Sequence, residues 1–315
     1  MSFQWTITAP QRLDAFLADQ HPAVSRARLQ KMIVSGGVEV NGEEVTKPAQ
    51  KLREGDSVFQ KMENEELSRE TTIAPLDLHL PVLYEDKECL VLSKPAGIAV
   101  HPGAGMGSED ATILHGIAHL FAERDLPFSR ESVLVHRLDK ETTGCLLVAK
   151  NAQSHLALQK QFAQRSVSKT YLALVAGQPD PPAAMINAPI GRNLTDRTKM
   201  SVLRTSISRE AKTTYRTLET TGKATLVQCD LHTGRTHQIR VHMSSVGHPV
   251  LGDVLYGSSA SSAFGKTSGI EGMCLHAWKL RFLSPTKIQE IAVQAPLPLP
   301  FTLALEKLHI GSPDS

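Results

Sequence analysis

Residues 133–150, VLVHRLDKETTGCLLVAK, contain the side chains best suited to chemistry. Two short apolar runs enclose a polar segment, a pattern that predicts a strand, a polar turn and a second strand. Asp139 lies in the turn, where a rigid and partly desolvated setting would hold its carboxylate in place. Arg137 and Lys140 flank Asp139 and would keep it ionised. Such an aspartate can act as a nucleophile at a sugar or base carbon, or as a general base.

Asp139 also has an ordinary interpretation, because an Asp that follows a strand commonly forms a turn or caps a helix. The surrounding sequence favours chemistry through a resemblance. Residues 136–144, HRLDKETTG, resemble the HRLD-x-x-[ST]-[ST]-G signature of the RluA-type pseudouridine synthase family. The resemblance implies that Asp139 is the catalytic residue.

Two further segments extend the resemblance. Residues 84–102, YEDKECLVLSKPAGIAVHP, are similar to the opening motif of the family, and residues 169–175, KTYLALV, are similar to its K-x-Y-x-A-x-V motif. The tyrosine of that motif lies against the target base, which implies this role for Tyr171. A tyrosine ring can stack on a flipped uracil, and its phenol can relay a proton. The alternative is that Tyr171 is an ordinary residue of a strand in the hydrophobic core.

Residues 232–257, HTGRTHQIRVHMSSVGHPVLGDVLYG, resemble the motif T-G-R-x-H-Q-[IL]-R-x-H…G-x-P-[ILV]-x-G-D-x-x-Y-G. In the family the second arginine pairs with the catalytic aspartate, which implies this role for Arg240. A guanidinium fork would orient the carboxylate and lower its pKa. The resemblance implies a further set of substrate-binding residues, which are Arg137, Ile239, Arg235 and Lys94. Lys94 could either stabilise the site or reach an RNA phosphate, and the alternative is an ordinary surface lysine.

Residues 11–61 resemble a small S-four-type RNA-binding module. The patterns predict helices over residues 11–20 and 26–35, the second capped by Ser25, and a hairpin that turns at Asn41 and Gly42. Three basic residues of the second helix can contact RNA phosphates, namely Arg26, Arg28 and Lys31. The alternative for these three is a solvated helix face.

The resemblance implies an α+β fold, in which this module precedes a mixed, mainly antiparallel sheet domain with the active site in a central cleft. Residues 62–75 are polar and predict a linker, so the catalytic domain is expected over residues 76–310. Residues 98–101 predict a strand, whereas residues 177–208 and 257–273 predict irregular loops, the first basic enough to follow RNA.

Helix starts in the second domain are predicted at Asn151 and Thr236, whose side chains can accept hydrogen bonds from the first turn. His237 and His242 lie five positions apart, which does not place them on one helix face, and no H-E-x-x-H is present. We therefore expect no metal site. The implied reaction oxidises nothing and adds nothing, so no cofactor is expected.

Composition restricts the class of protein only weakly. The net charge of +2 arises from 34 Lys and Arg against 32 Asp and Glu, which says little about partners. The four cysteines are isolated and form no C-x-x-C pair, which favours reduced thiols in the cytosol. The first residues lack the pattern of a signal peptide, and no apolar run is long enough to cross a membrane. These features predict a cytoplasmic protein.

The implied reaction is the isomerisation of uridine to pseudouridine in RNA. We expect large-subunit ribosomal RNA as the substrate, because relatives that carry the S-four-type module mostly act on that RNA. We also expect a monomeric enzyme. Transfer RNA is the alternative substrate. Two other classes are a non-catalytic RNA-binding or ribosome-assembly protein and a nucleoside hydrolase.

Overall fold

The computed structural model describes residues 3–21, 26–61, 73–102, 110–203, 205–287 and 289–313. The chain divides into two compact units, Met1–Thr72 and Ile73–Ser315. Most of the predicted linker, residues 62–72, lies outside the described residues, as does the expected helix cap Ser25. None of the helices in the described ranges is long and apolar enough to cross a membrane.

The first unit is a small α/β assembly. Its elements in chain order are β1 (Phe3–Thr6), β2 (Gln11–Arg12), α1 (Leu13–Gln20), α2 (Arg26–Val34), β3 (Val38–Val40), β4 (Glu43–Glu44), β5 (Lys51–Leu52) and β6 (Ser57–Gln60). An antiparallel sheet of order β1-β6-β3-β4 packs against both helices through Leu13, Leu17, Leu29 and Ile33. The predicted hairpin at Asn41 and Gly42 is confirmed, and the side chains of Arg26, Arg28 and Lys31 are outside the described part.

The second unit is built on a nine-stranded sheet in its described residues, of order β11-β15-β16-β10-β17-β9-β8-β7 with β18 also paired to β17. Neighbouring strands are antiparallel, except that β9 and β17 are parallel. A separate three-stranded sheet has the order β13-β12-β14. The strands are β7 (Val82–Glu85), β8 (Cys89–Lys94), β9 (Thr143–Ala149), β10 (Ser168–Ala176), β11 (Ala183–Asn187), β12 (Ile190–Asn193), β13 (Met200–Ser201), β14 (Thr205–Arg209), β15 (Lys212–Thr220), β16 (Ala224–Leu231), β17 (Leu275–Leu283) and β18 (Glu290–Gln294).

Helices cover both faces of the large sheet. They are α3 (Ile113–Ala122), α4 (Arg130–Val133), α5 (Ala152–Ala163), α6 (Gln238–Ser245), α7 (Ser259–Thr267) and α8 (Leu299–Lys307). Because side chains alternate along a strand, Tyr171 and Ala173 of β10 join the core that includes α3 and α6, whereas Leu172 and Leu174 join the core that includes α8. The expected α+β fold with a mixed, mainly antiparallel sheet is confirmed.

Two apolar runs that were expected to be strands have other structures. The carbonyls of Ala99 and Val100 accept hydrogen bonds from the first amides of α3, so residues 98–101 cap a helix. Val133 ends the short helix α4, and Leu134 makes only an isolated bridge with Val148. In both places the apolar side chains are packed in the interior, but the backbone does not form the hydrogen bonds of a strand in a sheet.

Two expected loops contain regular structure. Residues 177–208 include β11, which joins the large sheet, and most of the small sheet, so the loop prediction is wrong. Few of these strand residues face a core, so the segment lacks the alternation of apolar and polar residues by which a strand is predicted. Residues 257–273 contain α7, whose start is capped by Ser258 accepting from the Ser261 amide. The helix beginning at Asn151 is confirmed by the same type of bond, here from Ser154.

Gly144 lets β9 lie close against β17. Its φ of +106° lies in the region that favours glycine, and a Cβ at this position would collide with the carbonyl oxygen of Ala277. The segment that carries Asp139 leads directly into this strand. The close approach therefore places the candidate catalytic loop at the middle of the sheet.

Candidate active site

Asp139 lies in the loop that precedes β9. The loop is tied down at both sides of Asp139, because Leu138 is buried in the core and the Lys140 carbonyl accepts from the Gly97 amide at 3.0 Å. The Asp139 carbonyl accepts from the Thr142 amide at 3.1 Å. The side chain of Asp139 is 16% exposed and lines a cleft of about 430 Å³. Clefts that hold small ligands have roughly this size, about 300–1,000 Å³.

Lys94 supports the same loop from inside the protein. It is only 1% exposed, and its ammonium donates to the carbonyls of Pro95, Lys140 and Thr142 at 2.6, 2.8 and 3.0 Å. An ammonium has three N–H donors, all of which are engaged here. The alternative of a surface lysine is therefore wrong, and no ammonium donor remains for an RNA phosphate, whereas the expected stabilisation of the site agrees with these contacts. Lys94 instead positions the loop that carries Asp139.

His136, at the start of the HRLD segment, also has a structural role. Its Nε2 accepts a hydrogen bond from the Leu147 amide at 2.9 Å, and its ring stacks on Phe162 with centroids 4.9 Å apart. Burial lowers the pKa of His136 to about 3, so the ring is neutral at physiological pH. The histidine fixes the segment against β9.

The guanidinium of Arg240 holds the carboxylate of Asp139. Arg240 Nη1 donates to Asp139 Oδ2 at 3.2 Å, so the contact that the resemblance implies is present. Only 8% of the Arg240 side chain is exposed, and it approaches Asp139 from the interior. Arg137, which was expected to keep Asp139 ionised, is exposed and instead lies 3.5 Å from His101.

Asp253 fixes Arg240 in turn. Its two oxygens accept from Nε and Nη2 of Arg240 at 2.7 and 3.0 Å, while Oδ1 also accepts from the amides of Leu255 and Tyr256. Burial would raise the pKa of Asp253, but the bonds and charge of Arg240 outweigh it and lower that pKa. Asp253 therefore remains ionised, and it uses two sides of the guanidinium while leaving the third for Asp139. The sequence had not singled out Asp253, although it is the Asp of the G-D motif.

Tyr171 and Ile239 line the cleft beside Asp139. Burial and the charge of Asp139 raise the pKa of the Tyr171 phenol above its ordinary value of 10.0, so it stays protonated at physiological pH. Ile239 is 3% exposed and belongs to the core under the cleft. The structure thus brings Asp139, Tyr171 and Ile239 together at one surface, with Arg240 behind it.

Cationic side chains lie around the cleft. Four of them line it, namely Arg137, Arg165, Lys169 and Arg235. Arg235 donates through Nε to the Glu210 carbonyl at 2.9 Å, which orients the guanidinium, and Arg165 pairs with the Glu210 carboxylate at 2.7 Å. Such a set can attract the phosphates of a nucleic acid.

The turn before α6 differs from its prediction. The helix cap is His237, whose backbone is left-handed with φ +58°, and no side chain accepts from the first turn, so the prediction for Thr236 is wrong. Gln238 holds the turn instead, because its Oε1 accepts from the Arg235 amide at 3.0 Å and its Nε2 donates to the Lys212 carbonyl at 2.9 Å. His237 lines the cleft with its Nε2 4.0 Å from Asp139 Oδ1. It is a site residue that we considered in the sequence only as a metal ligand.

His242 is not among the side chains that line the cleft. It is fully buried, and its ring nitrogens contact Thr213 Oγ1 and the Ala188 carbonyl, each at 2.9 Å. No group of three or more metal-ligating side chains is found among the described residues.

Burial of Lys94 predicts a pH-dependent stability. Burial lowers its pKa from 10.5 to about 8, against the opposing charges of Glu141 and Asp139. Between these values the unfolded chain binds more protons than the folded one, so the cost of burying the charge is present below pH 8 and is relieved as the pH rises. We expect the unfolding free energy of wild type relative to Lys94→Met to rise by about 1–3 kcal/mol from pH 7.5 to 10.5. Urea unfolding of both proteins across this range measures it, and a constant difference would contradict the account.

Comparison with known proteins agrees with this site. Residues 88–245 match the family model for RNA pseudouridylate synthase, and residues 11–58 match the S4 domain. A relative from Xanthomonas campestris pv. campestris, named ribosomal large subunit pseudouridine synthase D, is 40% identical over 92% of this chain and 86% of its own length. An uncharacterized RNA pseudouridine synthase of Aquifex aeolicus is 38% identical over 96% of this chain and 95% of its own length.

Solved structures give the same result. The human RNA pseudouridylate synthase domain containing 4 has a TM-score of 0.60 and 28% identity, covering 74% of this chain and 94% of that protein. A second human protein, RNA pseudouridylate synthase domain containing 1, has a TM-score of 0.58 and 30% identity, covering 71% of this chain and 86% of that protein. The identity of the relatives over most of the chain, together with the family match, shows that this chain belongs to the RNA pseudouridylate synthase family.

Proposed function

We propose that this protein converts uridine to pseudouridine in large-subunit ribosomal RNA, with Asp139 as the catalytic carboxylate. The observation that carries the proposal is the contact between Asp139 and the buried Arg240 at the floor of a cleft lined by cations. The names of relatives from Xanthomonas campestris and Vibrio parahaemolyticus, which refer to the large ribosomal subunit, support the choice of RNA.

The reaction rearranges bonds within one nucleotide. The bond between uracil N1 and ribose C1′ breaks, the base turns, and a bond forms between C5 and C1′. N1 gains a proton and C5 loses one, so the product is an isomer of the substrate. Binding, positioning and the stabilisation of charge are therefore what the protein must provide.

Asp139 would supply the attacking carboxylate, at C1′ or at the uracil ring. Its Oδ2 is held by Arg240, whereas in the described part of the chain Oδ1 accepts no hydrogen bond. Oδ1 faces the cleft side of the site and is the oxygen available for attack. Carboxylates stabilise similar oxocarbenium-like states when glycosidic bonds are broken.

Tyr171 and Ile239 would hold the base. A target inside an RNA structure must leave its stack, which costs roughly a few kcal/mol. Stacking on the Tyr171 ring and contact with Ile239 can offset part of this cost, and the protonated phenol of Tyr171 can donate a hydrogen bond. Arg137 and Arg235 line the same cleft and would contact RNA phosphates next to the flipped nucleotide.

The amino-terminal S4 domain would add RNA contacts away from the active site. We assign residues 11–61 to this domain, 62–75 to a linker and 76–310 to the catalytic domain. Phosphate contacts would come from Arg26, Arg28 and Lys31 of α2. We further propose a monomer that works in the cytoplasm, in accord with four buried and free cysteines. Sedimentation of the purified protein would refute the monomer if it showed a stable dimer.

Pseudouridine mapping of total RNA tests the function. In cells that lack the gene, we expect specific pseudouridines to be missing from large-subunit ribosomal RNA. Wild type should restore them, and Asp139→Asn should not, because the amide cannot attack and cannot pair with Arg240 as a carboxylate does. Glu141→Gln is the matched control, since it removes one exposed carboxylate from the same loop and should restore the modification.

Each other outcome of the mapping has a definite meaning. Losses confined to transfer RNA would contradict the substrate but leave the chemistry intact. Restoration by Asp139→Asn would contradict the catalytic assignment. An unchanged pseudouridine pattern in the deletion strain would contradict the proposed function as a whole.

The role of α2 can be tested through the salt dependence of RNA binding. Replacing the three helix cations by Gln should weaken binding and reduce the slope of log affinity against log salt by about two, given about 0.7 per phosphate contact on single strands. A control variant removes the same charge elsewhere in the first unit by replacing the exposed residues Lys47, Lys51 and Arg53. Equal effects of the two triple variants on slope and affinity would contradict a specific role for the helix.

A further inference from the structure

His237 occupies a backbone conformation that is unusual for a residue with a side chain. Its φ of +58° and ψ of +21° lie in the left-handed region, which costs roughly 1 kcal/mol or more outside glycine. The residue occupies the cap position of α6 without capping the helix through its side chain. This conformation directs the imidazole into the cleft beside Asp139.

A chain of hydrogen bonds favours Nε2 as the ring nitrogen of His237 that carries the proton. The Met200 amide donates to the Tyr256 hydroxyl oxygen at 2.8 Å, and the same hydroxyl lies 2.7 Å from His237 Nδ1. A backbone N–H can only donate, so the hydroxyl accepts from Met200, and among the described residues Nδ1 is the acceptor within reach of the hydroxyl's own hydrogen. With Nδ1 as the acceptor, a neutral imidazole carries its hydrogen on Nε2.

Tyr256 is itself held firmly, so the tautomer is built into the fold. Its amide donates to Asp253 Oδ1 at 3.0 Å, and its carbonyl accepts from Ser244 Oγ at 3.0 Å. The guanidinium of Arg240 lies over its ring, 5.0 Å from the centroid. The residues that fix Arg240 and Asp139 therefore also fix the proton on His237.

His237 Nε2 faces the reacting carboxylate without bonding to it. It lies 4.0 Å from Asp139 Oδ1, while Arg240 occupies Oδ2. Burial lowers the pKa of His237, an effect that Arg240 and Arg137 reinforce and that Asp139 and Asp253 oppose. The ring is thus neutral near pH 7, with an N–H directed at the space where a substrate would meet Asp139.

We propose that His237 donates a hydrogen bond from Nε2 to a carbonyl oxygen of the detached uracil, and that Tyr256 positions it by fixing the tautomer. The inference rests on the proposed function. When the glycosidic bond breaks toward an anionic base, negative charge spreads to the uracil carbonyl oxygens, and a preorganised neutral donor stabilises it. Because Nε2 carries the hydrogen, His237 serves as a donor in this site and not as a base.

Replacing His237 by Asn or by Gln distinguishes a structural role from a donor role. Among residues with a side chain, Asn best tolerates a left-handed backbone, but its amide reaches only the position of Nδ1. Gln fits that backbone less well, yet its amide can place an N–H near the position of Nε2. If His237 merely shapes the turn, Asn should be the better replacement, and if it donates to substrate, Gln should be.

Single-turnover rates of pseudouridine formation at saturating RNA provide the test. We expect His237→Asn to lower the rate by about 10²-fold, the usual cost of removing one such donor, and His237→Gln to retain a rate within about tenfold of wild type. RNA affinity should change little for either variant, and urea unfolding reports whether each is folded. Rates for Asn equal to or above those for Gln would overturn the proposal.

Tyr256→Phe provides a second, independent measurement. The ring under Arg240 remains, but the hydroxyl that fixes the tautomer is lost, so the rate should fall several-fold in the wild-type background. In the His237→Gln background the same change should have no further effect, because no tautomer remains to be fixed. Additive effects in the double variant would contradict the relay through Tyr256.

Two controls separate failure of this inference from failure of the proposed function. Wild type must form pseudouridine and Asp139→Asn must not, and any other result contradicts the function on which the inference rests. If both controls behave as expected and the order of the two His237 variants is reversed, only the inference fails.

Discussion

One guanidinium shared between two carboxylates is the interaction on which the rest of this site depends. Arg240 gives Nε and Nη2 to the fully buried Asp253 and Nη1 to the cleft-facing Asp139. Removing a charge from water is costly unless it is paired, so Arg240 could not be buried without Asp253. Asp253 holds the guanidinium of Arg240 in one orientation. Arg240 in turn holds Oδ2 of Asp139 in place, and Oδ1 of Asp139 stays open to the cleft.

The fold meets this constraint by fixing the two partners from different elements. Arg240 projects from α6, which packs on the sheet face that also displays Tyr171, whereas Asp139 belongs to the loop before β9. That loop is held from below by the ammonium of Lys94, and Gly144 allows its strand to approach β17 closely. The distance of 3.2 Å between Arg240 and Asp139 thus depends on packing within the whole sheet.

The sequence predicted the parts of the site that lie in long, specific motifs, and it failed where tertiary contacts decide the outcome. Asp139 and Arg240 were paired correctly because their motifs resemble those of a family. No local pattern indicates that Lys94 is buried, since its partners are carbonyls that come into range only in the fold. His237 was considered only as a metal ligand because its role follows from a backbone angle and from Tyr256, nineteen positions away. The strands within residues 177–208 were missed because few of their side chains face a core.

The most direct measurement of the central claim is the single-turnover rate of Arg240→Lys beside that of Arg240→Met. Lysine keeps the positive charge but has no planar fork, so one ammonium cannot bond both carboxylates in the observed geometry. The account predicts that both variants lose at least about 10²-fold in rate, or about 2.7 kcal/mol, with RNA affinity largely retained. Arg240→Met leaves Asp253 buried without its partner and should also lower the unfolding free energy, so urea unfolding must show that each variant is folded under the assay conditions. A rate for Arg240→Lys within about threefold of wild type would show that charge alone is sufficient and would contradict the bridging role of the guanidinium.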